Sequence, residues 1–292
     1  MMAIRRSMLF IPGNHPGMLQ NGGVFGADSV ILDLEDAVAP TEKDAARRLV
    51  GMALKNADYG DSEKVVRINP LDCDGAVDIA AIVPCAPDAI LLPKVQNAAE
   101  LREAAALIAS AEVAGQKPVK IIALIETPRG LANALEIAEA DPRVVALAFG
   151  AEDYTAGLGA VRSKEGGEIL TARALLINAA AAAGIDAIDT PFTDANDDAG
   201  LAEDAGLARR IGFKGKLAIN PRQVDVIHEA FNPSEKEIDW AERVVFAIEQ
   251  AQAQGSGVIA VDGKMVDAPI VNRAKRTLEM ARMLGLKKED GQ

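Results

Sequence analysis

Eight short apolar runs recur along the chain, each followed by a longer segment with helical periodicity. The runs predict strands over 7–11, 29–34, 64–68, 89–92, 120–125, 144–149, 186–189 and 216–219. Segments 41–54, 98–114, 129–140, 168–183 and 197–211 predict helices between them. Thr41 followed by Asp44, and Ser234 followed by Glu237, have the pattern of N-terminal capping boxes. Ile238, Ala241, Val245 and Ile248 keep the spacing of a helix with one buried face. Eight strand–helix units within residues 1–231 predict an α/β fold, the (β/α)8 or TIM barrel. An open doubly wound sheet is the alternative topology. No G-x-G-x-x-G turn follows the first strand and no G-x-x-x-x-G-K-[ST] loop occurs, which weighs against the common dinucleotide and nucleotide folds. Asn232-Pro233 breaks the pattern. Residues 232–292 predict a C-terminal helical extension: a long helix, a break at Gly255-Ser256-Gly257, a short strand and a last helix from near Pro269.

Composition narrows the class. Aromatic residues are only 3% of the chain, so the core must be built from Ala, Val, Ile and Leu. A net charge of −12 argues against a duplex nucleic-acid binder, since phosphate recognition needs a concentrated basic face. No apolar run is long enough to span a membrane, and no charged-then-apolar leader is read from the first residues. Cys73 and Cys85 supply neither a disulfide framework nor a zinc site. A soluble, cytoplasmic enzyme is expected.

The candidate chemistry lies where the strands end. Strand two runs into Asp33-Leu34-Glu35-Asp36, and strand three ends in Arg67-Ile68-Asn69. Strand four ends in Pro93-Lys94, strand five in Glu126, strand six in Glu152-Asp153, strand seven in Asp189 and strand eight in Asn220-Pro221-Arg222. A parallel barrel brings these ends to one rim, the rim where barrel enzymes do chemistry. Several carboxylates without a neighbouring His or Cys point to a hard cation. Magnesium takes oxygen ligands, often one or two protein carboxylates plus water and substrate. Glu126 and Asp153 are one strand–helix–strand repeat apart, so they should project from adjacent strands and share an ion. The alternative is that these acids pair with Arg67 or Lys94 in a rim salt bridge.

Six segments carry a resemblance. They are Arg6-Ser7-Met8-Leu9-Phe10-Ile11-Pro12-Gly13, Asp33-Leu34-Glu35-Asp36-Ala37-Val38, Val66-Arg67-Ile68-Asn69, Ile125-Glu126-Thr127-Pro128-Arg129-Gly130, Gly150-Ala151-Glu152-Asp153-Tyr154 and Ile219-Asn220-Pro221-Arg222-Gln223. Together they resemble the magnesium-dependent barrel lyases, the family of citrate lyase β subunits and malyl-CoA lyase. The tail segments Gly257-Val258-Ile259 and Asp262-Gly263-Lys264-Met265-Val266-Asp267 match as well, so the resemblance spans essentially the whole chain.

The resemblance implies Mg2+ held by Glu126 and Asp153, with Arg67 and Glu126 at the substrate. It tempts one to give Arg6 a thioester contact. Asp33, Glu35 and Asp36 are expected to bond metal-bound waters and orient Arg67 or Arg6, or else to cap the next helix. Asp267 is expected to complete the active site of a neighbouring subunit, in a homotrimer or larger assembly, or else to cap the last helix. The implied reaction cleaves a citryl thioester, on CoA or an acyl carrier protein, to oxaloacetate and an acetyl thioester. Acyl carrier and transferase subunits are then possible partners. The alternatives are malyl-, methylmalyl- or citramalyl-CoA lyase or a related thioesterase, and a non-catalytic assembly subunit.

The remaining candidates read as bland. Lys94 at a strand end has the position of a Schiff-base lysine, yet a rim this acidic favours ion pairing. His15 is expected on a loop surface, His228 on a helix face, and both cysteines as spectators. Gly157, Gly159, Gly166 and Gly167 suit a mobile loop over the substrate, and Ala179–Ala183 suits close helix packing.

Overall fold

The computed structural model describes residues 4–253, 259–261 and 264–286; the expected break at Gly255–Gly257, and the Gly257-Val258 and Asp262-Gly263 parts of the tail motif, lie outside them. Eight parallel strands close into a barrel in sequence order. Strand β1 (Ser7–Pro12) leads into the short helix α1 (Pro16–Gln20), and β2 (Ser29–Asp33) into α2 (Lys43–Asn56). Then come β3 (Glu63–Arg67) with α3 (Gly75–Ile82), β4 (Ala89–Leu92) with α4 (Ala98–Ala111), and β5 (Lys120–Ile125) with α5 (Pro128–Ala132) and α6 (Ala134–Ala138). The circuit finishes with β6 (Val144–Phe149), α7 (Ala151–Leu158) and α8 (Leu170–Ala183), β7 (Asp186–Asp189) with α9 (Asp198–Ile211), and β8 (Gly215–Ala218) with α10 (Gln223–Phe231). The barrel expected from the sequence is therefore the fold, and its closure, with β8 paired to β1, removes the open-sheet alternative.

Strand side chains alternate between two dry regions. Met8, Ile31, Val65, Leu91, Ile122, Leu124, Ala146, Ile188 and Leu217 fill the barrel. Leu9, Val30, Leu32, Val66, Ile90, Ala123 and Leu147 face the helices. Beneath the inner layer Arg5, at 5% exposure, donates from Nε and Nη2 to Glu63 at 2.7 Å each and from Nη1 to Asp186 at 3.0 Å. That ionic plug seals the N-terminal end.

A second buried network binds the helical layer to β7 and β8. Asp189 accepts Nε and Nη2 of Arg173 at 2.9 and 2.8 Å, and Nζ of Lys216 at 2.6 Å. Asp204 closes the square, accepting from Arg173 at 2.8 Å and Lys216 at 2.5 Å.

Local sequence signals meet mixed outcomes. Ser234 and Glu237 form the capping box, with Ser234 N–H donating to Glu237 Oε2 at 2.7 Å. Thr41 forms none: a 3-10 turn over Pro40–Glu42 precedes α2, and its N-cap position falls to Glu42 without a side-chain bond. His15 is exposed and its Nδ1 caps α1 by accepting from Met18 N–H. His228 is half-buried, with Nε2 2.7 Å from Ser7 Oγ, a strand residue at the barrel's sealed end.

Residues up to Phe231 form one compact unit and those from Asn232 a second. The second unit holds α11 (Glu235–Ala253), the antiparallel pair β9 (Ile259–Val261) and β10 (Lys264–Val266), and α12 (Ala268–Met283). Its own core includes Ala241, Val244, Ile248, Val266, Val271, Ala274 and Leu278. Among the described residues no helix is long and apolar enough to cross a membrane.

Asp189→Asn keeps side-chain volume but leaves Arg173 and Lys216 to share Asp204 alone. Breaking a buried pair leaves an uncompensated charge, so urea unfolding should show a loss of about 3 kcal/mol. A loss below about 1 kcal/mol would mean that Asp204 alone satisfies both cations.

Candidate active site

Alternation carries past the strand ends and sorts the rim. Two residues beyond inward-facing Ile31, Val65 and Leu124 come Asp33, Arg67 and Glu126; two beyond Ala148, Ile188 and Leu217 come Gly150, Thr190 and Ile219. All six line one pocket of about 440 Å3 above the aliphatic layer, together with Phe10 and Asp153. Outward parity gives Asp189 to the helical layer, so this strand-end acid belongs to the packing network and not to the rim chemistry.

Arg67 is the centre of the charged layer. Its Nε and Nη2 donate to Asp33 Oδ1 and Oδ2 at 2.7 and 2.5 Å, the bidentate fork of a strong ion pair. Asp33 is fully buried and is itself fixed by Glu35 N–H at 2.9 Å and Ala37 N–H at 3.2 Å. On the far edge, Arg67 Nη1 lies 3.0 Å from Glu35 Oε2, and Asp36 Oδ2 is 3.6 Å away. Glu35 Oε2 nevertheless lacks an aligned hydrogen bond, so the Nη1 protons are not committed to it. The Phe10 ring packs under the guanidinium at 4.7 Å. These carboxylates and this ring fix the plane of Arg67; burial pulls its pKa down, and Asp33, Glu35 and Asp36 outweigh that pull and raise it.

Lys94 follows β4 with a φ of +53°, the left-handed region that non-glycine residues avoid. That turn aims its backbone N–H at Glu126 Oε1, 2.7 Å away, while its Nζ donates to Glu35 Oε1 at 2.8 Å. Its ammonium is raised above its ordinary pKa, first by that bond to Glu35. It is thus an ion-paired lysine, as the acidic rim implied, and unsuited to Schiff-base chemistry.

Glu126 is 4% exposed. Burial, helped by the charges of Glu35 and Asp153, pushes its carboxyl up to about 8, against the pull of the Lys94 N–H and Arg67. No cationic side chain touches it among the described residues, because Arg67 is held by Asp33 and Lys94 by Glu35. The rim salt bridge expected as an alternative therefore forms with Asp33 and Glu35, not with Glu126. Gly150 makes room for it: a Cβ there would fall 2.6 Å from Glu126 Cβ and 2.7 Å from Oε2. Thr190 Oγ1 accepts Ala151 N–H at 3.0 Å and so anchors the start of α7, whose first turn carries exposed Asp153.

A buried carboxylate without a cation, with a second carboxylate lining the same pocket, fits a hard divalent ion. Among the described residues there is no group of three or more His, Cys, Asp or Glu able to cage a metal. Two protein oxygens with water and substrate completing the shell is the arrangement magnesium favours.

Other expected site residues lie elsewhere. Arg6 is corrected: it precedes β1 at the sealed end, where its Nε and Nη2 pair with Asp28 at 2.8 and 2.7 Å. It belongs to the opposite end of the barrel from the pocket, because a residue before the strand emerges at its N-terminal edge. The glycines around 157–159 are not a free loop, since α7 runs to Leu158 and Gly159 ends it at φ +70°. Asp267 is exposed and caps α12 by accepting Ile270 N–H. The sequence reading gave Phe10, Gly150 and Thr190 no role at the site. Their parity with Met8, Ala148 and Ile188 was the signal available.

The model of the family described as HpcH/HpaI aldolase/citrate lyase matches residues 6–221. The citrate lyase subunit beta of Leuconostoc mesenteroides subsp. cremoris is 48% identical over 95% of this chain and 93% of its own. A (3S)-malyl-CoA thioesterase of Cereibacter sphaeroides is 37% identical over 94% of each. Among solved structures, protein CitE from Mycobacterium tuberculosis, in complex with magnesium, acetoacetate and coenzyme A, superposes with a TM-score of 0.80. It is 35% identical and the match covers 97% of this chain and 100% of that one.

The pH dependence of a cation's effect tests the site. A raised Glu126 pKa favours the protonated form in the folded state, so its contribution to stability is full below the ordinary 4.5 and is lost as pH rises through about 8. A divalent cation binds the ionised form and offsets that loss. The rise in Tm on adding a few millimolar magnesium should therefore grow from about pH 6 to about pH 9. In Glu126→Gln the increment should vanish. A pH-independent increment in both proteins would place the ion elsewhere.

Proposed function

Because the chain belongs to the HpcH/HpaI aldolase/citrate lyase family, we propose that it is a magnesium-dependent carbon–carbon lyase cleaving a citryl thioester to oxaloacetate and an acetyl thioester. The observation that carries this reading is Glu126: a buried carboxylate without a cationic partner, beside Asp153, under a fixed Arg67. Glu126 and Asp153 would hold the ion, which supplies Lewis acidity to the oxygens of the hydroxy acid.

The chain's own groups account for the rest. In the reaction the tertiary hydroxyl gives its proton to a water in the pocket, the bond between that carbon and the thioester methylene breaks, and its electron pair becomes the thioester enolate. The enolate then takes a proton to give the acetyl group. Arg67 Nη1, ion-paired to Glu35 without an aligned hydrogen bond, offers its hydrogens to a substrate carboxylate or to the enolate oxygen as charge grows there. Asp33 and Glu35 hold that fork in place, so its position need not be found anew during the reaction. The aliphatic floor of the barrel, including Leu124 and Leu217, keeps water from below. Lys94 keeps Glu126 turned toward the pocket through its N–H.

The same apparatus serves any β-hydroxy acyl thioester, and a malyl-CoA thioesterase among the relatives favours that second reading. Retention of Glu126, Asp153 and Arg67 in one pocket weighs against a purely structural subunit. Carrier and transferase subunits, a homotrimeric or larger assembly and a cytoplasmic setting are part of the proposal; the citrate lyase relative supports the first.

A panel of citryl-, malyl-, methylmalyl- and citramalyl-CoA, with keto acid and free thiol both measured, tests the reading. Citryl-CoA should give oxaloacetate faster than the others give their keto acids. Thiol release from malyl-CoA alone would favour the thioesterase.

Arg67→Lys keeps the charge and loses the fork, and should lower kcat/KM by about a hundredfold. Asp153→Asn should lose activity similarly while melting as wild type does. Unchanged kinetics in either variant would remove its residue from the reaction.

The remaining element of the proposal is that Asp267 exchanges a proton with the thioester carbon in a neighbouring subunit's barrel. Co-expressed Glu126→Ala and Asp267→Ala chains test it, each being inactive alone. In a cyclic assembly about a quarter of the sites would combine an intact barrel with an intact tail. A dead mixture would mean that the tail serves its own barrel.

A further inference from the structure

The end of the barrel opposite the active site carries a concave surface that the proposed reaction does not use. A cleft of about 1000 Å3 opens among the starts of β3, β4, β5 and β6 and shares no lining residue with the catalytic pocket. In a chain of net charge −12, four cations converge on it: Lys64, Lys117, Lys120 and Arg143. Of the acids nearby, Glu112 is neutralised by Arg143, whereas Asp88 lines the cleft and keeps its charge, one acid against three free ammonium groups. Asp88 Oδ2 accepts the backbone N–H of Lys64 at 2.8 Å. Glu112 accepts both Nη atoms of Arg143, at 2.6 and 3.0 Å, and Val119 N–H at 2.7 Å. The ammonium groups of Lys64, Lys117 and Lys120 make no hydrogen bond or ion pair among the described residues.

The walls between these charges are apolar and stiff. Pro87, Pro118 and Pro142 and the side chain of Val145 line the cleft, and proline rings hold their backbone without further bonds. Gln116 Nε2 donates to Val83 O at 2.9 Å and ties the loop between α4 and β5 to the 3-10 turn that follows α3. A preformed cleft of this size, with an apolar body and a few convergent charges, has the features of a small-molecule site. Three unpaired ammonium groups select an anion of several charges, and the proline faces select a flat or apolar group attached to it.

We propose that this cleft binds a multiply charged organic anion of the nucleoside polyphosphate class, with the phosphates on Lys64, Lys117 and Lys120 and the base against the prolines. The chain has no glycine-rich phosphate loop, so binding here relies on side-chain charge and falls steeply with salt. The inference is independent of the proposed lyase reaction, because it uses neither Glu126 nor Arg67.

Calorimetry on the full chain tests it, with ATP as the probe, EDTA present so that no metal bridges the phosphates, and excess coenzyme A to fill the catalytic mouth. One equivalent of ATP should bind, and inorganic tripolyphosphate and adenosine should each bind more weakly. Lys117→Glu with Lys120→Glu should weaken ATP by at least about tenfold, while the Lys117→Arg, Lys120→Arg protein retains it. Both proteins should keep the wild-type Tm and citryl-CoA turnover. Where the charge-reversed chain does not fold, Lys117→Gln with Lys120→Gln takes its place. Absence of heat with ATP, heat that appears only when coenzyme A is left out, or binding unchanged by charge reversal would each overturn the site. Tripolyphosphate as tight as ATP would overturn the apolar half of the proposal. An acidic peptide binding more tightly than ATP would assign the cleft to a protein partner instead.

Discussion

Everything in this molecule that resembles chemistry depends on the two-residue alternation of strand side chains inside a closed ring. Closure fixes the register, and register decides which of two neighbouring residues faces the axis. From bottom to top the axis then reads as an ionic plug of Arg5, Glu63 and Asp186, an aliphatic filling around Met8, Ile122 and Leu217, and a charged layer of Asp33, Arg67 and Glu126. A slip of one residue in β3 would send Val66 into the pocket and Arg67 into the helical layer.

The charged layer is built with a deliberate mismatch of partners. Two cations, Arg67 and Lys94, meet the carboxylates of Asp33, Glu35, Asp36, Glu126 and Asp153. The cations are drawn to the carboxylates nearest in the chain fold, on the segment after β2. Glu126 is left buried with only a peptide N–H. The result is a site stable enough to fold and still short of positive charge. That shortage is what a divalent ion held by Glu126 and Asp153 would offset.

The strands were legible because parallel strands covered on both faces read as unbroken apolar runs, such as Ile121–Ile125 within β5. Glu126 and Asp153 were legible as neighbours because one repeat separates them. Helix detail was less so. The expected helix over 129–140 is two short helices divided at Asn133, and α3 and α7, though implied by the eight strand–helix units, had no legible bounds. Gly75, Gly150 and Gly157 obscured them, since glycine weakens helical propensity where packing, not propensity, decides. Arg6 misled because its motif neighbours continue along the strand to the rim, while its own position lies before the strand begins. His228 reaching Ser7 depends on ring closure, which brings α10 back to β1 and leaves no local trace.

The close contact of Gly150 with Glu126 has a consequence for how this site can change over generations. Any side chain at position 150 would need the space now held by the Glu126 Cβ and Oε2. The two positions are therefore not independent letters. Aspartate at 126 would keep a carboxylate but also the Cβ that meets a side chain at 150, so only glycine at 126 clears both contacts, and glycine has no carboxylate. If Glu126 acts as proposed, each such step costs activity, and drift at position 150 is closed while Glu126 is under selection. New substrate preferences must come from the other walls of the pocket, such as Phe10, Thr190 and Ile219, where exchange leaves the carboxylate in place.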